Sequence, residues 1–134
     1  MSKHLPKHDF TLIVDDIRLE KGNKPSLMGV YGDDIIVASF PAVLSQLRFF
    51  SRLSGGKGDC YVRFSLKNPD GVEQFSGSTE MQVTMNGGLH HINYGISPFH
   101  ASQEGAYTYT IFIDGKEICQ TVFTVKKAQT PQAA

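Results

Sequence analysis

Three features of the chain predict an all-β fold, an antiparallel β-sandwich of immunoglobulin-like or C2-like form. Two β-rich runs, Gly105 to Ile113 and Lys116 to Val125, flank Asp114-Gly115, the strongest short-range signal for a hairpin. Turn residues recur about every ten positions and mark out roughly eight or nine strands of about five to nine residues each. No segment of convincing length keeps a helical period. A closed barrel is the alternative built from the same signals.

The elements follow in order. Phe10 to Ile17 is the first strand, rich in Phe, Ile, Val and Leu. Lys21 to Pro25 turns, with Gly22 and Asn23 suited to positive φ. Ser26 to Tyr31 and Ile35 to Val37 are strands separated by Gly32-Asp33-Asp34, and Phe40-Pro41 then punctuates the chain. Val43 to Leu53 fits two periods. Val43, Leu44, Leu47 and Phe50 have helical spacing, whereas Leu47, Phe49 and Ser51 alternate. Its aromatics and flanking turns favour a strand from Gln46, after a short helical turn. Ser54 to Asp59 reads as a mobile, glycine-rich hairpin loop. Cys60 to Leu66 alternates, with Val62, Phe64 and Leu66 on the core face and Tyr61, Arg63 and Ser65 opposite. Asn68-Pro69-Asp70-Gly71 is a tight turn, because Pro presets φ and Gly accepts the left-handed position. Val72 to Phe75, Glu80 to Met85 and Leu89 to Ile96 are further strands, the last two joined by Asn86-Gly87-Gly88. In the closing hairpin Tyr107, Tyr109, Ile111 and Ile113 share the core face, met by Phe123 and Val125.

A chain of 134 residues is one domain, placed at residues 9–126 between a flexible N-terminus (1–8) and a disordered tail (127–134). The net charge is zero, which argues against a nucleic-acid partner and removes the repulsion that keeps copies apart, so a monomer or weak homodimer is expected. No apolar run approaches the ~20 residues that cross a bilayer. Met1 to Asp9 is polar, without a secretory signal, and the expected location is cytoplasmic. Cys60 and Cys119 are then expected reduced and inert.

Two patterns resemble known families. Glu104-Gly105-Ala106-Tyr107-Thr108-Tyr109 is similar to the tyrosine corner of immunoglobulin-like domains, with Tyr109 where antibody domains carry a cysteine. Asp15-Asp16-Ile17-Arg18, Leu27 to Gly32, Asp34-Ile35-Ile36 and Phe40-Pro41 resemble an uncharacterised family of small bacterial proteins. That resemblance implies a single β-sandwich domain with no assigned activity and no catalytic residues to carry over.

No catalytic motif is present, and no cofactor is implied. The Ser54 to Gly58 loop lacks the helix and the Lys-Ser/Thr pair of a phosphate loop. No serine sits in a nucleophile elbow. Asp15-Asp16 and Asp33-Asp34 lack the Asp-x-Asp spacing of a calcium site. One member of Asp15-Asp16 is expected to face inward, with Arg18, Arg48 or Arg52 as partner. His90, His91 and His100 match no zinc spacing. The remaining clue is apolar surplus. Phe112 falls opposite the Tyr107 to Ile113 core face, and Phe49 against Leu47 and Met28 against Leu27 are read as the same two-facedness. The expected role is a non-catalytic protein-interaction or accessory module, with an edge strand or a patch around Phe112 as its surface and another protein as its partner. The alternatives are a metal- or small-ligand-binding module and an enzyme.

Overall fold

The computed structural model describes residues 3–74 and 80–129. Among these residues there are eleven strands and no helix: β1 (Lys7–Glu20), β2 (Lys24–Val30), β3 (Asp34–Val37), β4 (Ala42–Leu44), β5 (Leu47–Ser54), β6 (Lys57–Lys67), β7 (Met81–Asn86), β8 (Leu89–Ile96), β9 (Phe99–Ala101), β10 (Gly105–Ile113) and β11 (Lys116–Lys127). One sheet has the order β2-β1-β5-β8, the other β3-β11-β10-β6-β7, and β4 and β9 form a short ribbon. Only the β3–β11 pair is parallel.

The core lies between the two larger sheets. Alternation delivers Val62, Phe64 and Leu66 from β6, and Tyr107, Tyr109, Ile111 and Ile113 from β10, all buried as their spacing predicts. Leu47, Phe49 and Leu53 reach them from β5 of the opposite sheet. The Tyr107 hydroxyl donates to the Gln103 carbonyl at 2.7 Å, the hydrogen bond of a tyrosine corner. Tyr109 stacks on Phe49 with ring centroids 4.0 Å apart, so an aromatic pair bridges the sheets where antibody domains place a disulfide. The fold is an immunoglobulin-like antiparallel β-sandwich. The β10–β11 turn has φ of 50° at Asp114 and 79° at Gly115, the conformation that matches strand twist in a two-residue hairpin.

One ladder organises most of the molecule. Ala42 pairs with Ala101, Leu47 with Ile96, Ser54 with Leu89, Lys57 with Asn86 and Val62 with Met81, without a shift of register. Residues 42–62 and 81–101 are therefore one antiparallel ribbon that passes from the first sheet into the second. It turns the corner at Gly55-Gly56 and Gly87-Gly88, which stay hydrogen-bonded to each other (Gly55 N to Gly88 O, 3.1 Å; Gly87 N to Gly56 O, 2.7 Å). A side chain at Gly56 would place Cβ 2.4 Å from Met85 Sδ and 2.9 Å from Pro6 Cβ, so any larger residue there must displace both neighbours.

Several expectations are corrected. Ser54 to Asp59 is no hairpin loop. The partners of β5 are β1 and β8 and those of β6 are β10 and β7, so the loop is the corner between sheets. The segment from Val43 contains β4 in place of a helical turn, because residues 42–44 continue the ladder against β9. Phe49 and Leu47 share the core face; the residue opposite them is Phe50. Residues assigned to a flexible N-terminus are paired: Lys7 opposes Ser54, and His4 exchanges two backbone hydrogen bonds with Lys57 at 3.1 and 2.9 Å. β11 takes in Lys127 from the segment assigned to the tail. Residues 130–134 of that tail, and Phe75 of the Val72 to Phe75 strand, lie outside the described residues.

Candidate interaction surface

The sites read from the sequence are dispersed. Asp15 is exposed and accepts a hydrogen bond from the Tyr31 hydroxyl, whose pKa burial and this carboxylate push up to about 12. Asp16 lies 3.8 Å from Arg18 and 3.7 Å from Arg48. Asp15 shares the face of core residue Ile13 but is exposed at the end of the sheet and meets a tyrosine, so the expected buried carboxylate with an arginine partner is not found. Asp34 pairs with Lys126 at 3.2 Å, and the Asp33 carbonyl accepts from the Thr124 N–H. His90 and His91 alternate across β8, and His100 sits on β9 opposite Val43. Among the described residues no group of three His, Cys, Asp or Glu side chains converges as a metal site would require. Cys60 and Cys119 are free thiols, and burial raises both pKa values, the opposite of nucleophile activation.

Phe112 is half-buried on the outer face of the second sheet. Arg63 lies directly opposite on β6 and holds its guanidinium carbon 4.0 Å from the Phe112 ring centroid. Arg63 is in turn 4.0 Å from Glu73. The ring is thus capped by a cation rather than bare, with Tyr61 and Val122 exposed elsewhere on this sheet.

The sequence reading missed a second apolar face. Register places Phe10, Leu12 and Val14 of β1 beside Arg52, Phe50 and Arg48 of β5, outside the first sheet. Val14 is fully buried there and Phe50 is only 6% exposed. The Arg52 guanidinium sits 5.4 Å from the Phe10 centroid and pairs with Asp9 at 3.1 Å, and Arg48 reaches over Gly95, where a Cβ would stand 2.7 Å from its Nη1. Arginine stems cover what would otherwise be exposed hydrocarbon. The signal was legible as Phe10, Leu12 and Val14 alternating with Thr11 and Ile13, which puts an apolar residue at four of the five positions from Phe10 to Val14.

At the corner a cleft of about 520 Å³ is lined by Lys3, Lys57, Gly58, Asp59, Thr84, Met85 and Asn86. Lys3 spans to Asp114 at 2.7 Å, and this lysine lowers the Asp114 pKa. Asp59 accepts from Thr84 at 2.6 Å. Lys3 is thus paired outside the cleft lining, and Asp59 is held by a neutral hydroxyl.

The sheet edges differ sharply. β2, at one edge of the first sheet, carries Lys24, Pro25 and a positive-φ Gly29, the devices that discourage strand addition. β3 is four residues long and begins with Asp34. β7 and β8 are the outermost strands at the other ends of their sheets, and β9 continues them. From Met81 to Ala101 this edge contains no Asp, Glu, Lys or Arg, in a chain that is 19% charged.

The model of a family of unknown function (DUF6941) matches residues 9–126. No curated protein matches the chain. Among solved structures, an alkylpurine DNA glycosylase from Pseudomonas fluorescens, bound to DNA containing an abasic site analog, is similar over 69% of this chain at 11% identity and a TM-score of 0.47; the chain spans 27% of that protein. An immunoglobulin-like protein from Pseudomonas aeruginosa is similar over 93% of this chain and 99% of its own, at 13% identity and a TM-score of 0.43. Among the described residues no helix is long and apolar enough to cross a membrane.

Proposed function

The chain belongs to the family of unknown function DUF6941, and from that premise we propose that it is a non-catalytic protein-interaction module that recruits a partner chain by strand addition along the β7–β8 edge. One observation carries this reading: the outermost strands, Met81 to Ala101, hold no charged residue, while β2 is guarded by a lysine and a proline. Every second residue of an outermost antiparallel strand turns its N–H and C=O away from its sheet, and an added strand satisfies them. Exposed Met81 and Leu89 supply apolar contact beside that backbone. The edge is favoured over the Phe112 patch because Arg63 already occupies the Phe112 ring face.

The test is site-specific photocrosslinking in the source cells, from Asn93 on the edge and from Val122 on the outer face of the second sheet. Both side chains are exposed, so the probes leave the core intact. Crosslinks from position 93 to a discrete partner support the edge. Crosslinks confined to position 122 move the interface to the Phe112 sheet and reject it.

A further inference from the structure

Resting on that reading, we infer that the occupant of the straight part of the edge is β8 of a second copy of this chain, paired antiparallel about a two-fold axis through Ile92. β8 is the last strand of its sheet and has bends at both ends. At one end the ribbon changes sheet at Gly87-Gly88; at the other, the Ser97 hydroxyl is tied to the Ser45 carbonyl at 2.9 Å. A two-fold at Ile92 sets Leu89 opposite Gly95 of the second copy at each end, so seven of the eight residues of β8 are paired before the corner glycines are reached. An axis on His91 would pair only five residues of β8, and one on Asn93 would set the exposed Asn93, rather than the buried Ile92, against its own copy.

The side-chain pattern agrees. Residues opposite one another in an antiparallel ladder share a face, so core positions must meet core positions. With the axis at Ile92, that buried residue faces Ile92 of the second copy and extends the core layer across the junction. The exposed His91 faces Asn93 of the second copy, on the outer side. No like charges are brought together, because β8 has no charged side chain and the whole chain is neutral. The product is a continuous sheet made from two four-stranded halves, with the less protected edge of each buried.

The register makes a charge-swap test possible. His91→Lys with Asn93→Lys puts lysine opposite lysine twice across the axis, whereas His91→Lys with Asn93→Asp puts lysine opposite aspartate twice. Both positions are exposed, and circular dichroism checks that each variant folds. Analytical ultracentrifugation of the purified full chain, from micromolar to submillimolar concentration, reads the outcome. We expect a wild-type dimer, a dilysine variant weaker by roughly tenfold from the two repulsive pairs, and a Lys/Asp variant at least as tight as wild type. A wild type that stays monomeric to submillimolar concentration overturns the pairing. So does equal weakening by both variants. In either case the edge reading stands or falls separately, on the crosslinks from position 93.

Discussion

Replacing Tyr109 with phenylalanine should stabilise the protein. Tyr109 is 0% exposed, stacked 4.0 Å from Phe49, with the Phe64 and Tyr94 centroids 6.0 and 6.1 Å away. Its hydroxyl has no hydrogen-bond partner among the described residues, and burial drives its pKa well above the ordinary tyrosine value. A buried polar group left unsatisfied costs about 1–3 kcal/mol. Tyr109→Phe keeps the stack and removes that cost, while losing the few dispersion contacts of one oxygen, so the net gain is about 1 kcal/mol. Tyr109→Ala removes the ring that bridges the sheets and should cost about 3–5 kcal/mol. Urea unfolding followed by fluorescence and circular dichroism distinguishes them. At an m-value near 2 kcal/mol/M, the phenylalanine variant should move the midpoint up by about 0.5 M. A phenylalanine variant destabilised by about 1 kcal/mol or more would show that the hydroxyl is satisfied, and would refute the reasoning from an unpartnered buried group.

Other consequences follow from the same geometry. Gly56→Ala should cost about 1–3 kcal/mol by overpacking against Met85 and Pro6, and Met85→Ala in the same chain should recover part of that loss, a coupling read by a double-mutant cycle in urea. His8 and His90 both have pKa values lowered from 6.5, in each case mainly by burial. The unfolded chain therefore binds protons more readily, so their contribution is intact above pH 6.5 and is lost as pH falls through the folded values. Melting temperature should drop on going below pH 6.5, and His90→Gln should flatten that slope. Arg63→Ala should uncover the Phe112 ring at a cost of about 0.5–1 kcal/mol and increase binding of a hydrophobic dye, whereas Phe112→Leu should lose the same cation–ring energy without the dye signal.

What could be read from the chain divides along physical lines. The closing hairpin, the β6 alternation and the tyrosine corner were legible because each is specified locally, by Asp114-Gly115, by period-two hydrophobicity and by Gly105-Ala106-Tyr107. The continuous ribbon was not. Gly55-Gly56 signals a turn, but whether the chain reverses within one sheet or passes into another is decided by Gly87-Gly88, more than thirty positions along. β4 and β9 escaped notice because three residues carry no periodicity, and they exist only as partners of each other. Phe112 was correctly set opposite the core face, but its cap, Arg63, is a cross-strand neighbour that register alone reveals. Phe50 and Val14 were missed as outer apolar residues because their neighbours on that face include Arg48, Arg52 and the His91 ring, and hydropathy scores those residues as polar. The uncharged stretch from Met81 to Ala101 was visible throughout; it acquired meaning only when the sheet order made it an edge.

The most direct test of the account is hydrogen exchange at the backbone amides of residues 89–96, measured on the full chain at rising protein concentration. Pairing of β8 with a second copy predicts that alternate amides of β8, those turned away from β5, gain protection as concentration rises, while the amides of β2 do not change. Exchange at β8 that is independent of concentration, with protection gained instead around Phe112 and Val122, would contradict it.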